Sequence, residues 1–204
     1  MFLIDEKDAT KTEPASTKTC TGTLVARSVV LTAAHCVDND PDRVRVFAGL
    51  LDLATAPSAP NDFLVTRIQE SRDFEKGSKT VKPNDIAYLE LGRNATQTPS
   101  SMSYDRPKAG ADGRSRGYGA IAENVVDGKP VVPPEGANTL LREGLVRIVD
   151  CPKGAYKDVF CSNYTKSTPG IGPCRGDSGG PLLSASSKKL VGVFSGSAAG
   201  CKTN

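Results

Sequence analysis

Three side chains of this sequence could together attack a carbonyl group: His35, Asp85 and Ser178. Ser178 lies in Gly176-Asp177-Ser178-Gly179-Gly180-Pro181. The glycines there open turns closed to other residues and let successive N–H groups converge on one point. A serine hydroxyl in such a turn is a candidate nucleophile, and the N–H groups of Gly176 and Ser178 are candidate donors to an oxyanion. Alone the hydroxyl reacts poorly; it needs a base, and the base needs a third group to hold it. His35, the single histidine, stands in Leu31-Thr32-Ala33-Ala34-His35-Cys36 and offers the base, and Asp85, opening Asp85-Ile86-Ala87-Tyr88-Leu89, offers the third group. Each also has a plainer reading: an interior histidine, a turn residue after Pro83-Asn84, a serine in an ordinary Gly-Ser turn. Asp85 by itself would be read as the turn residue. The company of Ala33-Ala34, Cys36 and the paired glycines tips all three towards chemistry.

Residues so far apart in sequence need a scaffold to bring them together, and short β-type runs supply it. Runs 23–26 and 28–32 form a hairpin leading into His35; 43–48 alternates basic and apolar residues, as a half-buried strand does. Further runs follow at 63–68 and 86–91, and beyond them at 114–119, 145–149, 181–183 and 190–194. The Ser/Pro/Lys-rich stretch 93–113 reads as a connector between two β lobes, and 127–138, rich in proline and glycine, as a surface loop. Fourteen prolines and twenty glycines in 204 residues argue against a helical bundle, and many short strands point to a sandwich or barrel. A net charge of +3 from 26 basic and 23 acidic residues is too balanced for a nucleic-acid partner, and Lys188-Lys189 reads as a solvated hairpin turn. No apolar run approaches the roughly 18 residues of a membrane span. The N-terminus becomes charged too early for a signal peptide. Six cysteines allow fifteen pairings if all are bonded. With one histidine and no Cys-x-x-Cys, neither a metal nor a cofactor is expected, and disulfides in an oxidising compartment are the better reading. Asn94-Ala95-Thr96 and Asn163-Tyr164-Thr165 are glycosylation sequons that decide nothing alone.

Thr32-Ala33-Ala34-His35-Cys36, Asn84-Asp85-Ile86-Ala87 and Gly176 to Pro181 resemble, in order, the three signatures of the trypsin/chymotrypsin family of serine endopeptidases. The resemblance runs from about Cys20 to Cys201. It implies an all-β fold of two antiparallel six-stranded barrels, chymotrypsin-like, with the site in the cleft between them. The N-terminal barrel would span about 1–98, the connector about 93–113 and the C-terminal barrel about 114–204. Ser178 would be the nucleophile, His35 the general base and acid, Asp85 the orienting acid, and Gly176 and Ser178 the oxyanion hole. Asp177 would have an activation and structural role, accepting the new N-terminal ammonium of a cleaved precursor. Local spacing suggests disulfides Cys20–Cys36, Cys151–Cys161 and Cys174–Cys201, and the resemblance implies the same three. The pocket base falls six residues before the nucleophile, at Gly172. With no charge there, apolar or small side chains are expected ahead of the cut bond in place of Lys or Arg. Ser195, Gly196 and Ser197 resemble the segment whose backbone pairs with substrate, and Arg175 stands at the expected cleft rim.

Both ends depart from the family pattern. Nineteen residues precede Cys20, Met1-Phe2-Leu3-Ile4 resembles the first barrel strand, and three residues follow Cys201. On that basis the fold is expected to be incomplete at both ends and the chain weakly active or inactive, as a zymogen or fragment would be. A secreted, extracellular or periplasmic, monomeric serine endopeptidase is the leading expectation. Its partners would be protein or peptide substrates, protein protease inhibitors and an activating protease. The alternative is a non-catalytic homologue that uses the same cleft for binding. A disulfide-rich structural domain with no catalytic ancestry would require all three motifs to be coincidence.

Overall fold

The computed structural model describes residues 2–5, 18–37, 40–58, 62–75, 83–119, 124–126, 129–131, 139–153, 159–164 and 174–196. Among these the fold is built from strands, with 3-10 turns as the only helical pieces. The first half contributes β1 (Phe2–Asp5), β2 (Lys18–Thr21), β3 (Thr23–Ala26), β4 (Val29–Thr32), β5 (Val44–Phe47), β6 (Asp62–Glu70) and β7 (Ala87–Leu91). They form one antiparallel sheet in the order β2-β1-β5-β6-β7-β4-β3. Its two outermost strands, β2 and β3, are consecutive in the chain and joined by Gly22 alone. The sheet therefore curls until its two ends meet, which leaves little open edge. The alternation read in the sequence faces its core: Val44, Val46, Phe63, Val65, Leu89 and Leu91 are buried, with Phe63 and Leu89 at 1% and 0% exposure. Withdrawing each such large side chain from water contributes about 1.5–3 kcal/mol.

The second half contributes β8 (Asp112–Gly117), β9 (Asn124–Val126), β10 (Lys129–Val131), β11 (Arg142–Val149), β12 (Cys161–Tyr164), β13 (Pro181–Ser184) and β14 (Leu190–Val193). Five of them pair in the order β12-β11-β8-β13-β14, and β9 with β10 forms a separate ribbon. The fold class is as the resemblance implied, with different counts. The first sheet has seven strands because Gly22 divides one long strand into β2 and β3. The second has five among the described residues. One expectation is corrected: β10 occupies part of the 127–138 stretch read as a loop, and its ladder with β9 supplies the hydrogen bonds a loop would lack. Residues 127–128 and 132–138 lie outside the described set.

Connector hydrogen bonds and a shared small core help dock the halves. Ser100 N–H donates to Leu24 O of β3, and Ser103 N–H donates to Leu190 O of β14, each at 2.8 Å, so the connector bonds to both sheets. Phe47, Leu50 and Tyr118 form a small core of their own, flanked by Leu53 and Leu141. The Tyr118 hydroxyl donates to Leu50 O at 2.6 Å, and burial pushes its pKa up to about 12. Disulfides join Cys20 to Cys36 and Cys151 to Cys161. Cys174 is also disulfide-bonded, while its expected mate Cys201 lies outside the described residues. No helix among the described residues is long and apolar enough to cross a membrane.

Candidate active site

Strand pairing in the first sheet explains why His35 and Asp85 meet. β4 runs antiparallel to β7 with Thr32 opposite Ala87. The chain leaving β4 and the chain entering β7 therefore share one end of the sheet. His35 follows Thr32 in a 3-10 turn, Ala34–Cys36, tied down by the Cys20–Cys36 disulfide. Asp85 precedes Ala87 after a turn in which Asn84 takes the left-handed conformation, φ 61°, and Ile86 N–H donates to Asn84 O. Asparagine tolerates that conformation better than most residues. The plain turn reading of Asp85 was thus correct about its backbone and incomplete about its side chain. Asp85 Oδ1 accepts the His35 backbone N–H at 2.8 Å, and Oδ2 lies 2.7 Å from His35 Nδ1.

The second sheet repeats the arrangement. β13 pairs with β14, Pro181 opposite Val193, so Ser178 and Ser195 leave that hairpin at one end. The ladder continues past the strands through Gly179 N–H to Phe194 O at 2.7 Å and Phe194 N–H to Gly180 O at 2.9 Å. Ser195 Oγ donates to Asp85 Oδ2 at 2.5 Å, bridging the sheets. Its sequence reading gave only a backbone role beside substrate; no sequence signal marks this hydroxyl as a partner of Asp85. The Ser178 turn is fixed to the histidine side by Thr21 N–H, which donates to Ser178 O at 2.8 Å. Gly179 packs directly on Thr21, Thr32 and Ala33, two residues before His35. Ser178 Oγ makes no hydrogen bond among the described residues, and neither Gly176 N–H nor Ser178 N–H is engaged by another backbone carbonyl there.

Asp177 points the other way, into a recess bounded by Gly117, Tyr118 and Gly119. A Cβ on Gly117 or Gly119 would collide with its carboxylate, so only glycine leaves the room. Its Oδ1 accepts Gly119 N–H at 2.8 Å and its Oδ2 accepts Cys174 N–H at 3.0 Å. Arg175 and Gly196 are exposed and Ser195 is half-buried, whereas Gly172 and Ser197 lie outside the described residues.

The two acids are perturbed in opposite directions. Burial raises the Asp177 carboxyl, and its two backbone hydrogen bonds only partly offset that. For Asp85 burial is again the largest single influence, but hydrogen bonds from His35 and Ser195 and the nearby imidazole charge together outweigh it and hold the pKa below the ordinary value. A raised carboxyl lends stability that is complete below its unfolded pKa, 3.8, and disappears as pH rises through the folded value. A depressed one lends stability above 3.8 that is lost as pH falls through its folded value. In urea unfolding from pH 2 to 7, Asp177→Asn is expected to flatten the slope on the neutral side of that point, and Asp85→Asn the slope on the acid side. An unchanged slope in either variant would contradict the assignment for that residue.

Comparison with known proteins follows the same lines. A family model described as Trypsin matches residues 8–204. The chain is 32% identical over 170 residues to snake venom serine protease 3 of Protobothrops flavoviridis, covering 80% of this chain and 62% of that protein. It is 30% identical over 166 residues to the thrombin-like enzyme cerastocytin of Cerastes cerastes, covering 79% and 61%. It is 31% identical over 170 residues to the chymotrypsin-like protease VLCTLP of Macrovipera lebetinus, covering 80% and 62%. The chain thus spans about three fifths of the length of these curated relatives. Among solved structures, the scabies mite inactivated protease paralogue S-I1 superposes with a TM-score of 0.69 at 25% identity, covering 97% of this chain and 82% of that one. Neuropsin, a serine protease expressed in the limbic system of mouse brain, gives 0.67 at 23%, covering 95% and 80%.

Proposed function

Because this chain belongs to the trypsin family, we propose that it is a serine endopeptidase working through Ser178, His35 and Asp85. Ser178 Oγ attacks the scissile carbonyl carbon as His35 Nε2 takes its proton. The carbonyl oxygen becomes an oxyanion received by the N–H groups of Gly176 and Ser178. Collapse expels the amine, which leaves with the proton from His35, and water then releases the acyl group by the same steps reversed. Asp85 stays ionised, keeping the imidazole proton on Nδ1 so that Nε2 is the accepting nitrogen. The observation that carries this reading is the doubly bonded His35–Asp85 pair, held against the wall to which the Ser178 turn is tied.

The finer assignments belong to the same proposal. The neutral Gly172 favours apolar or small side chains ahead of the cut bond. Ser195, Gly196 and Ser197 line the substrate strand, with Arg175 at the rim. Asp177 orders the oxyanion turn and couples it to precursor cleavage. The protein works outside the cell as a monomer on protein or peptide substrates, subject to protein inhibitors and to an activating protease. Three disulfides and venom relatives favour that compartment. The second reading, a non-catalytic homologue whose cleft binds without cutting, draws on the likeness to an inactivated paralogue.

A fluorophosphonate separates the two, since it labels a serine only where base and oxyanion donors are assembled. The expected result is one adduct by intact mass, lost in Ser178→Ala, with chromogenic peptides bearing apolar residues cut ahead of Arg or Lys peptides. No adduct on the folded, disulfide-bonded chain would favour a zymogen-like chain or the binding homologue. Preferred cleavage after Arg or Lys would overturn the pocket assignment.

A further inference from the structure

Thr21, the last residue of β2, is 1% exposed and bonds the Ser178 turn, the histidine strand and Tyr118. Its Oγ1 donates to Gly176 O at 2.7 Å and receives Tyr118 N–H at a longer 3.4 Å. Its own N–H donates to Ser178 O at 2.8 Å, and its carbonyl accepts the Thr32 hydroxyl at 2.9 Å. Thr32 is fully buried and three residues before His35. One residue of the first sheet thus holds the carbonyls of both residues whose N–H groups are the oxyanion donors. It is itself braced, through the Thr32 hydroxyl, by the strand that delivers the histidine. A hydroxyl is suited to this position because it donates to one backbone group and accepts from another at once, which valine cannot do.

We propose that Thr21 is a positioning residue for the oxyanion donors, its hydroxyl fixing the Gly176–Ser178 turn against the histidine strand. The proposal rests on the reading of this site as a serine peptidase. A buried threonine that merely satisfies its own hydrogen bonds would look similar in isolation; the two differ in what its loss does to the rate. Losing an oxyanion donor outright costs about 10²–10³ in rate, and misaiming one through lost support costs less, about 10- to 100-fold.

The test compares the full chain with Thr21→Val, which keeps shape and removes the hydroxyl, and Thr21→Ser, which keeps the hydroxyl. Three quantities are measured: kcat and KM on an apolar chromogenic peptide, the rate of fluorophosphonate labelling, and deuterium exchange across 174–178. The valine variant is expected to lose about 10- to 100-fold in kcat and labelling rate with KM within about twofold. Its exchange should quicken in 174–178 and at the Tyr118 N–H that the hydroxyl accepts, and serine should restore rate and protection. Labelling of Thr21→Val at the parent's rate would overturn the proposal, as would faster exchange spread evenly over the first sheet. A parent chain that takes no label at all would count against an assembled oxyanion site in this chain. Exchange would then still decide the clamp: confined acceleration in the valine variant supports it, and unchanged protection ends it.

Discussion

Asp85→Asn is expected to lower turnover about ten-thousandfold while the protein stays folded. The carboxylate is an acceptor at every contact: the His35 backbone N–H on Oδ1, and the imidazole and the Ser195 hydroxyl on Oδ2. An asparagine keeps one acceptor oxygen and puts an amide N–H₂ where the other stood. Oriented to keep the His35 backbone bond, it turns those N–H groups towards Nδ1. The ring answers by moving its proton to Nε2, the nitrogen that must receive the Ser178 proton. Base catalysis stops, although every heavy atom remains close to its place. The fold tolerates the change because the exchange of tautomer restores a hydrogen bond on that side. A kcat within tenfold of the parent would show that Asp85 is not the group that fixes the imidazole.

Gly179→Ala is expected to destabilise the chain by about 3 kcal/mol or more, reading it in the denaturant midpoint of the disulfide-bonded protein. Two costs add. Gly179 has φ 79°, a conformation that costs a residue with a Cβ about 1 kcal/mol or more. The new methyl would also meet Thr32 Oγ1 and Thr21 O inside any permitted contact, with Ala33 N at 2.9 Å. Two of those three are backbone atoms held in place, so the site can relax only by moving the Ser178 turn, and overpacking of this kind costs about 1–3 kcal/mol. Activity should fall further than stability, because that movement carries the nucleophile away from His35. A midpoint within about 0.5 kcal/mol of the parent, the range usual for surface substitutions, would show that the turn is looser than its contacts imply.

The family signatures and most of the first sheet were legible in the sequence because both are local. Alternation of period two marked 43–48 and a β-type apolar run marked 63–68, which the structure forms as Val44–Phe47 and Asp62–Glu70. Motif glycines likewise announced the Ser178 turn. What stayed hidden depends on partners distant in sequence. β11 begins at the polar Arg142-Glu143-Gly144, which carries no alternation signal. It is a strand because Glu143 lies opposite Arg116 and forms ion pairs with both Arg114 and Arg116 on β8. β12, Cys161–Tyr164, has no apolar pattern either; the Cys151–Cys161 bond and the open edge of β11 hold it. The Ser195 and Thr21 hydroxyls were invisible for the same reason, since each acts across the gap between the two sheets.

Because the site gathers where strands of both sheets start and finish, the opposite end of the β13–β14 hairpin is chemically idle. Ser184 N–H bonds Lys189 O there, and the turn between them carries the exposed Ser186 and Ser187. Four residues of strand separate that turn from the Ser178 loop along β13. A dye, an affinity handle or a surface tether placed at Ser186 or Ser187 would therefore ride on the same hairpin as the Ser178 turn, at its far end. That makes this turn the natural place to immobilise or follow the molecule when the proposed activity is tested.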